Sequence, residues 1–190
     1  MIPVPAIILA AGASQRLGTP KQAVEWEGEA LLHRAARVAL EAGFSPVFVV
    51  VGAAEAVSRQ ALGTLPVEVV SNSDWAEGMG ASIRVGVAAL PARTSAVLLL
   101  VCDQRALNKD LLVEFARLHR QAPDRLIAAH YAGTRGVPAL FPAHRFPELR
   151  SLSGDRGARC VLKGEGVLEV SFPGGELDVD SPEDLDHQPK

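Results

Sequence analysis

Two cations, Arg16 and Lys21, follow the segment Leu9-Ala10-Ala11-Gly12-Ala13-Ser14 within one loop length. Small side chains let a ligand come up against bare backbone, and successive N–H groups form a concave site for anions. Such a loop suits a polyphosphate, with the backbone of Leu9, Ala10, Ala11 and Gly12 against a nucleotide and Arg16 and Lys21 neutralising its phosphates. Other glycine loops are excluded by counting. The pattern G-x-G-x-x-G fails because Ala10 and Ser14 stand two residues either side of Gly12. The Walker loop needs four residues between its glycines and then Lys; here five separate Gly12 from Gly18, and Thr19 follows.

Carboxylates recur at two places. Asp103 closes Val101-Cys102-Asp103-Gln104, at the exit of the most hydrophobic run, Val97–Val101. A hard carboxylate together with nucleotide phosphates is the usual way to hold Mg²⁺, which keeps several waters. Near the end, Asp178 and Asp180 flank Val179 and share one face of an extended segment, because side chains alternate with period two. Asp180 is assigned to the metal opposite Asp103, whereas Glu183 and Asp184 read as a solvated acidic helix start. In Asn72–Ser82, Gly78 and Gly80 are expected to bring backbone to a ligand. Ser82 offers a hydroxyl to base or ribose, and Trp75 reads as a lid packed on the core. Gly154-Asp155-Arg156-Gly157-Ala158-Arg159 suits an anionic substrate held by bidentate arginine contacts.

These residues need a scaffold that gathers them, and the chain alternates strand-like with helix-like segments. The strand candidates Val4–Leu9, Val47–Val51, Val67–Val70, Val97–Val101 and Leu126–His130 are nearly continuous apolar runs, the mark of strands covered on both faces. Helical spacing is present in Glu29–Ala42 (stopped by Gly43), Ala53–Leu62, Gly80–Leu90 and Lys109–Gln121. Further on, Gly136–Phe141 and Val167–Val170 read as short strands, one of them antiparallel, and Asp155–Lys163 as a short helix. Leu177–Asp180 reads as strand-like, with Ser181 capping a helix whose first residue is Pro182. The pattern predicts a three-layer α/β/α sandwich with a Rossmann-like, mostly parallel sheet. Ligands in such sheets bind beyond the carboxyl ends of the strands, where the loop after Leu9 lies.

A chain of 190 residues fits a single domain over 1–190. A hydrophobic content of 48% excludes disorder, and a net charge of -3 argues against nucleic acid as the main partner. Cys102 and Cys160 lack metal-type spacing and read as reduced thiols of a cytoplasmic protein. Pro3 and Pro5 interrupt the first apolar stretch, which also lacks a basic start, so no signal peptide is expected. No apolar run is long enough for a membrane span.

Taken together, the segments L-A-A-G-x-S-x-R-x-G-x-x-K, G-M-G-x-S-I, C-D-Q, G-x-P-x-L-F, G-D-x-G-A-R and D-x-D-S-P-E-D span nearly the whole chain. In that order they resemble the family of molybdenum cofactor cytidylyltransferases and related molybdopterin nucleotidyltransferases. The resemblance implies a nucleotide-diphospho-sugar transferase-like fold and Mg²⁺-dependent transfer of CMP from CTP to the phosphate of molybdopterin. Pyrophosphate is released, and the product is destined for a molybdoenzyme partner. The Ala-Ala-Gly form of the loop looks like the cytidylyl branch, since Ala11 leaves less room beside the backbone than the glycine common in the guanylyl branch. Two departures, Arg105 after C-D-Q and Val137 before the proline, bear on the acceptor. Use of GTP or another phosphorylated acceptor, or a non-catalytic cofactor-handling role, are the alternatives; the last would predict a missing metal carboxylate, yet Asp103 is present. An ionised phosphate nucleophile needs no general base, in keeping with His33, His119, His130, His144 and His187 all lying outside the motifs.

Overall fold

The apolar runs become the middle of a seven-stranded sheet in the computed structural model, which describes residues 4–181 and 184. Strands β1 (Ala6–Ala10) and β4 (Val47–Val51) are buried along their whole length. They are joined in the sheet by β5 (Glu68–Ser71), β6 (Ala96–Val101), β7 (Ile127–Tyr131), β8 (Thr134–Pro142) and β9 (Leu168–Ser171). The order β5-β4-β1-β6-β8-β7-β9 is parallel except that β8 runs antiparallel to both its neighbours. Helices α1 (Leu31–Glu41), α2 (Glu55–Leu62) and α4 (Lys109–Gln121) cover one face, with Leu32, Leu62 and Phe115 in its apolar layer. Helices α3 (Met79–Ala88) and α5 (Phe146–Arg150) cover the other through Ile83, Val87 and Leu149. This is the expected three-layer α/β/α sandwich.

The connection from β1 leads through α1 to β4, and the chain returns through α3 to β6 on the opposite side of β1. The carboxyl ends of β1 and β6 therefore splay their loops at a topological switch point, the place where open α/β sheets bind ligands. Local chemistry fits the elements. Gly43, at φ +88°, ends α1 with Phe44 N–H donating to the Ala39 carbonyl at 3.1 Å. The Asn108 side chain accepts from Leu111 N–H at the start of α4, a cap of about 1 kcal/mol.

Three expectations are corrected, and a fourth falls outside the described residues. Glu29 and Ala30 do not begin α1: they form β3 (Glu29–Ala30), paired with β2 (Glu25–Trp26) across a Glu27-Gly28 turn in which both residues have positive φ. Two-residue strands leave too little periodicity to read. Asp155–Lys163 is not a helix but a single turn, Ala158–Cys160, because Gly154 and Gly164 bound it at positive φ, Gly157 stands within it, and its backbone N–H groups bond only three residues back. The helix of this region is α5, just upstream. Leu177–Asp180 is not a strand: β6 ends at Val101, and among the described residues the segment's ladder-type contacts are the bridge Gln104↔Asp178 and the Val179 N–H bond to the Asp103 carbonyl (3.1 Å). The Pro182 helix start lies outside the described residues.

The small hairpin has a use. Trp26 packs with Leu17, Leu31 and Val179 in a separate apolar cluster. Leu17 belongs to the first loop and Val179 to the end of the chain, so burying these side chains together fixes Arg16 and Lys21 against Asp180. Among the described residues no helix is long and apolar enough to cross a membrane.

Candidate active site

A cleft of about 490 Å³ opens at the switch point, floored by Leu9, Ala10, Ala11 and Gly12. The loop's backbone is polarised. The carbonyls of Ala10, Ala11, Gly12 and Ser14 all accept hydrogen bonds from within the protein. The N–H groups of Gly12, Ala13 and Ser14 have no partner among the described residues. Carbonyls tied inward and N–H groups left free make the positive concavity that an anion needs. A Cβ at Gly12 meets nothing within 4 Å, so the protein's own packing does not demand glycine there.

Lys21 stands over this floor. Its ammonium donates to Asp103 at 2.6 Å and to Asp180 at 2.9 Å, and Arg16 donates to the other oxygen of Asp180 at 2.9 Å. The Lys21 and Asp103 side chains are only 18% and 16% exposed. Open surface pairs such as Arg117–Glu114 are screened by solvent and contribute little, so the sheltered Lys21 network is the one with consequences. Burial would lower the Lys21 pKa, but the charge of Asp103 and hydrogen bonds to Asp103 and Asp180 outweigh it, and the ammonium is held above its ordinary value. Lys21 likewise draws the Asp180 carboxyl below the usual carboxylate range, opposed by partial burial and helped by Arg16.

Val179 packs in the hairpin cluster, and of the two aspartates beside it Asp180 lines the cleft while Asp178 does not. Asp178 is pushed up to about 6, first by burial and then by the charges of Asp103 and Asp180. A carboxyl with a raised folded pKa favours the fold while protonated and loses that contribution as pH rises from the unfolded value through 6. In metal-free buffer Asp178→Asn should therefore melt roughly 2–4 °C above wild type at pH 7.5, with the gap narrowing toward pH 5. An equal gap at both pH values would show that Asp178 does not titrate in this window. Asp184 is not simply solvated: its Oδ2 accepts from Asp180 N–H (3.0 Å), Ser181 N–H (2.8 Å) and Ser181 Oγ (3.0 Å), pinning the backbone that carries Asp180.

Other expectations fare differently. Gly78 and Gly80 open space for the protein, not for a ligand. A Cβ on Gly78 would lie 2.6 Å from the Gly154 backbone, one on Gly80 2.7 Å from Ser153 N, and Gly80 N–H is taken by the Gly154 carbonyl (2.9 Å). Gly78 still lines the cleft; Gly80 does not. Ser82 lines it, yet its hydroxyl already accepts from Asn72 Nδ2 at 3.0 Å. Trp75 is both a lid and a wall: half-buried, it packs on the apolar layer below and borders the cleft. Of the glycine–arginine segment, Asp155 reaches the cleft, while Arg159 stacks on Tyr131 at 5.9 Å. Arg105 and Val137 do not line it. Arg105 stacks on Trp26 (4.7 Å) and donates to the Leu177 carbonyl, and Val137 packs against the core. None of His33, His119, His130 and His144 borders the cleft, and His187 lies outside the described residues. Cys102, wholly buried, has its thiol pushed up to about 12 by burial and by Asp103, which removes it as a nucleophile.

Sequence reasoning missed Gln22, which is fully buried and donates to the carbonyls of Ala10 (2.7 Å) and Gly12 (3.1 Å). A glutamine next to a lysine in a polar loop carries no signal of burial.

Comparison with known proteins gives the family. The family model described as "MobA-like NTP transferase domain" matches residues 6–170. A protein named nicotine blue oxidoreductase, from Paenarthrobacter nicotinovorans, is 34% identical over 96% of this chain and 94% of its own length. A probable molybdenum cofactor guanylyltransferase from Opitutus terrae is 28% identical over 95% and 92%. The crystal structure of Rv0371c from Mycobacterium tuberculosis H37Rv superposes with a TM-score of 0.84 at 29% identity, covering 97% of this chain and 96% of that one. Its manganese complex gives 0.81 at 27% identity over 98% and 97%.

Proposed function

From the premise that this chain belongs to the MobA-like NTP transferase family and is an enzyme of the nucleotidyltransferase class, we propose that it transfers CMP from CTP to the phosphate of molybdopterin or a similar acceptor. An acceptor phosphate oxygen forms a bond to the α-phosphorus, the bond from that phosphorus to the bridging oxygen breaks, and pyrophosphate leaves with the electron pair. The observation that carries this reading is the polarised loop with Lys21 and Arg16 above it. In this assignment Leu9, Ala10, Ala11 and Gly12 hold the nucleotide, with Gly78, Ser82 and Trp75 on its far side. Lys21 uses two of its three protons on Asp103 and Asp180, which leaves one for a phosphate oxygen. Arg16, 78% exposed, has further donors for the leaving pyrophosphate.

The donor set fits a divalent ion such as Mg²⁺. Asp103 and Asp180 are hard oxygen ligands that already share one cation, and among the described residues no larger cluster of ligands exists. A site of two carboxylates completed by phosphates and water is the usual habit of Mg²⁺. Bound there, the ion supplies charge neutralisation at the reacting phosphates. The manganese complex of Rv0371c supports a divalent ion in this fold. The two unpaired cysteines support a cytoplasmic setting, where a molybdoenzyme partner would receive the product.

GTP is the second reading, favoured by the relative named as a guanylyltransferase. Ala11, 3% exposed, sits with its methyl in the apolar layer under the cleft floor and takes the place of a more permissive glycine. A methyl packed beneath the floor takes no room from a base, so the preference for CTP rests on the likeness of the Ala-Ala-Gly loop to the cytidylyl branch, and a site built to pair with one base can reject another strongly. Calorimetry should show CTP binding at least about tenfold tighter than GTP; tighter GTP binding would overturn the cytidylyl assignment. The reaction itself is tested by incubating the protein with Mg²⁺, each of the four NTPs and molybdopterin. Pyrophosphate release with CTP is the expected result, and none with any NTP would refute the transfer.

A further inference from the structure

Gln22 follows Lys21 in a single helical turn, Lys21–Ala23, and its side chain is fully buried beneath the first loop. Its Nε2 donates to the Ala10 carbonyl at 2.7 Å and the Gly12 carbonyl at 3.1 Å, while its Oε1 is buried with no partner among the described residues. The fold leaves one acceptor of a buried amide without a partner among the described residues while it places both amide protons under the loop. We infer that Gln22 is a positioning residue for triphosphate binding: it draws the carbonyls of Ala10 and Gly12 away from the cleft and so turns the N–H groups of residues 12–14 toward the anion.

The argument is electrostatic. A peptide in this loop can present either its carbonyl or its N–H to the ligand. A carbonyl facing a phosphate repels it, whereas an N–H attracts it. Ala11 is anchored by Ala53 N–H (3.2 Å), and Ser14 by the N–H groups of Leu17 and Gly18 (3.1 and 3.2 Å). The carbonyls of Ala10 and Gly12 stand on either side of Ala11, and Gln22 donates to both. Lys21 N–H donates to Ser14 Oγ at 3.0 Å, which closes the loop into a ring. Lys21 therefore supplies the charge above the loop while its neighbour sets the loop's polarity from below. Hydrophobic residues of the same size at position 22 fill the space but leave both carbonyls without a donor. Glutamate goes further and sets a charge against them.

This inference rests on the reading of the loop as a phosphate site, so the test uses inorganic tripolyphosphate, CTP and cytidine as separate probes. Calorimetry on Gln22→Met should show tripolyphosphate and CTP weakened at least about tenfold, equivalent to about 1.4 kcal/mol at 25 °C, with cytidine affinity changed much less. Gln22→Glu should lose more at pH 8 and recover relative to wild type at pH 6, because a protonated carboxyl donates again and an ionised one cannot. A purely structural glutamine would lower the melting temperature and affect all three probes alike, with no recovery at low pH. If Gln22→Met does not fold, Gln22→Glu carries the test through its pH dependence. Wild-type tripolyphosphate affinity in a folded variant would overturn the assignment of Gln22 alone. Failure of the wild-type protein to bind tripolyphosphate or any NTP would overturn the phosphate loop, and Gln22's role with it.

Discussion

Asp103→Asn should lower kcat/KM for NTP-dependent pyrophosphate release by at least about 100-fold, comparable to the loss of a principal electrostatic stabiliser, with little change in thermal stability. The replacement keeps the shape of the side chain. The backbone carbonyl of residue 103 still accepts from Val179 N–H, and Lys21 still has Asp180 at 2.9 Å, so the strap that brings the chain end to the site stays in place. What disappears is the hard anionic oxygen that holds Lys21 at 2.6 Å and that the proposed divalent-ion site requires. An amide oxygen remains as a weak ligand, so the variant should also need a higher Mg²⁺ concentration to reach its reduced rate. Turnover near wild type at saturating Mg²⁺ would refute the metal role of Asp103.

Lys21→Ala should cost at least about 100-fold in kcat/KM with CTP, spread over both affinity and rate, because the ammonium faces phosphate before and during transfer. CMP, which lacks the distal phosphates, should lose much less affinity in calorimetry. Equal losses for CMP and CTP would point to a lysine that only supports the fold. Stability falls too. Removal of the cation leaves Asp103 and Asp180 facing one another with Asp178 in range. Because the fold raises the Lys21 pKa, its stabilising contribution is complete at every pH below the unfolded value of 10.5 and is lost only as pH rises through the still higher folded value. The deficit of Lys21→Ala should accordingly be full at pH 7.5. It should shrink in acid as the carboxylates take up protons, and in the wild type Lys21 and Arg16 hold Asp180 ionised to lower pH. Melting curves between pH 4 and pH 8 check this directly.

The strands and the main helices were legible because burial on both faces writes itself as unbroken apolar runs, seen in Val47–Val51 and Ala96–Val101, and because Gly43 marks a helix end locally. The first loop was legible for the same reason: its small residues and its two cations are neighbours in sequence, and their purpose follows from type and spacing. By itself, then, the sequence determined the sandwich, the place of the cleft and the identity of its charged groups. Tertiary structure decided how those groups meet. That Lys21 bridges Asp103 and Asp180 depends on Leu17, Trp26 and Val179 being buried together, and hydrophobic burial carries no address along the chain. The same limit explains Gly78 and Gly80. A missing side chain leaves room, but only the fold says whether a ligand or a neighbouring loop fills it, and here the backbone of residues 153–154 does. Gln22 and Arg105 complete the case: each is a polar side chain whose work is set by distant backbone carbonyls, those of the first loop for one and that of Leu177 for the other. Hydrogen bonds of this kind are satisfied across space, so no local pattern announces them.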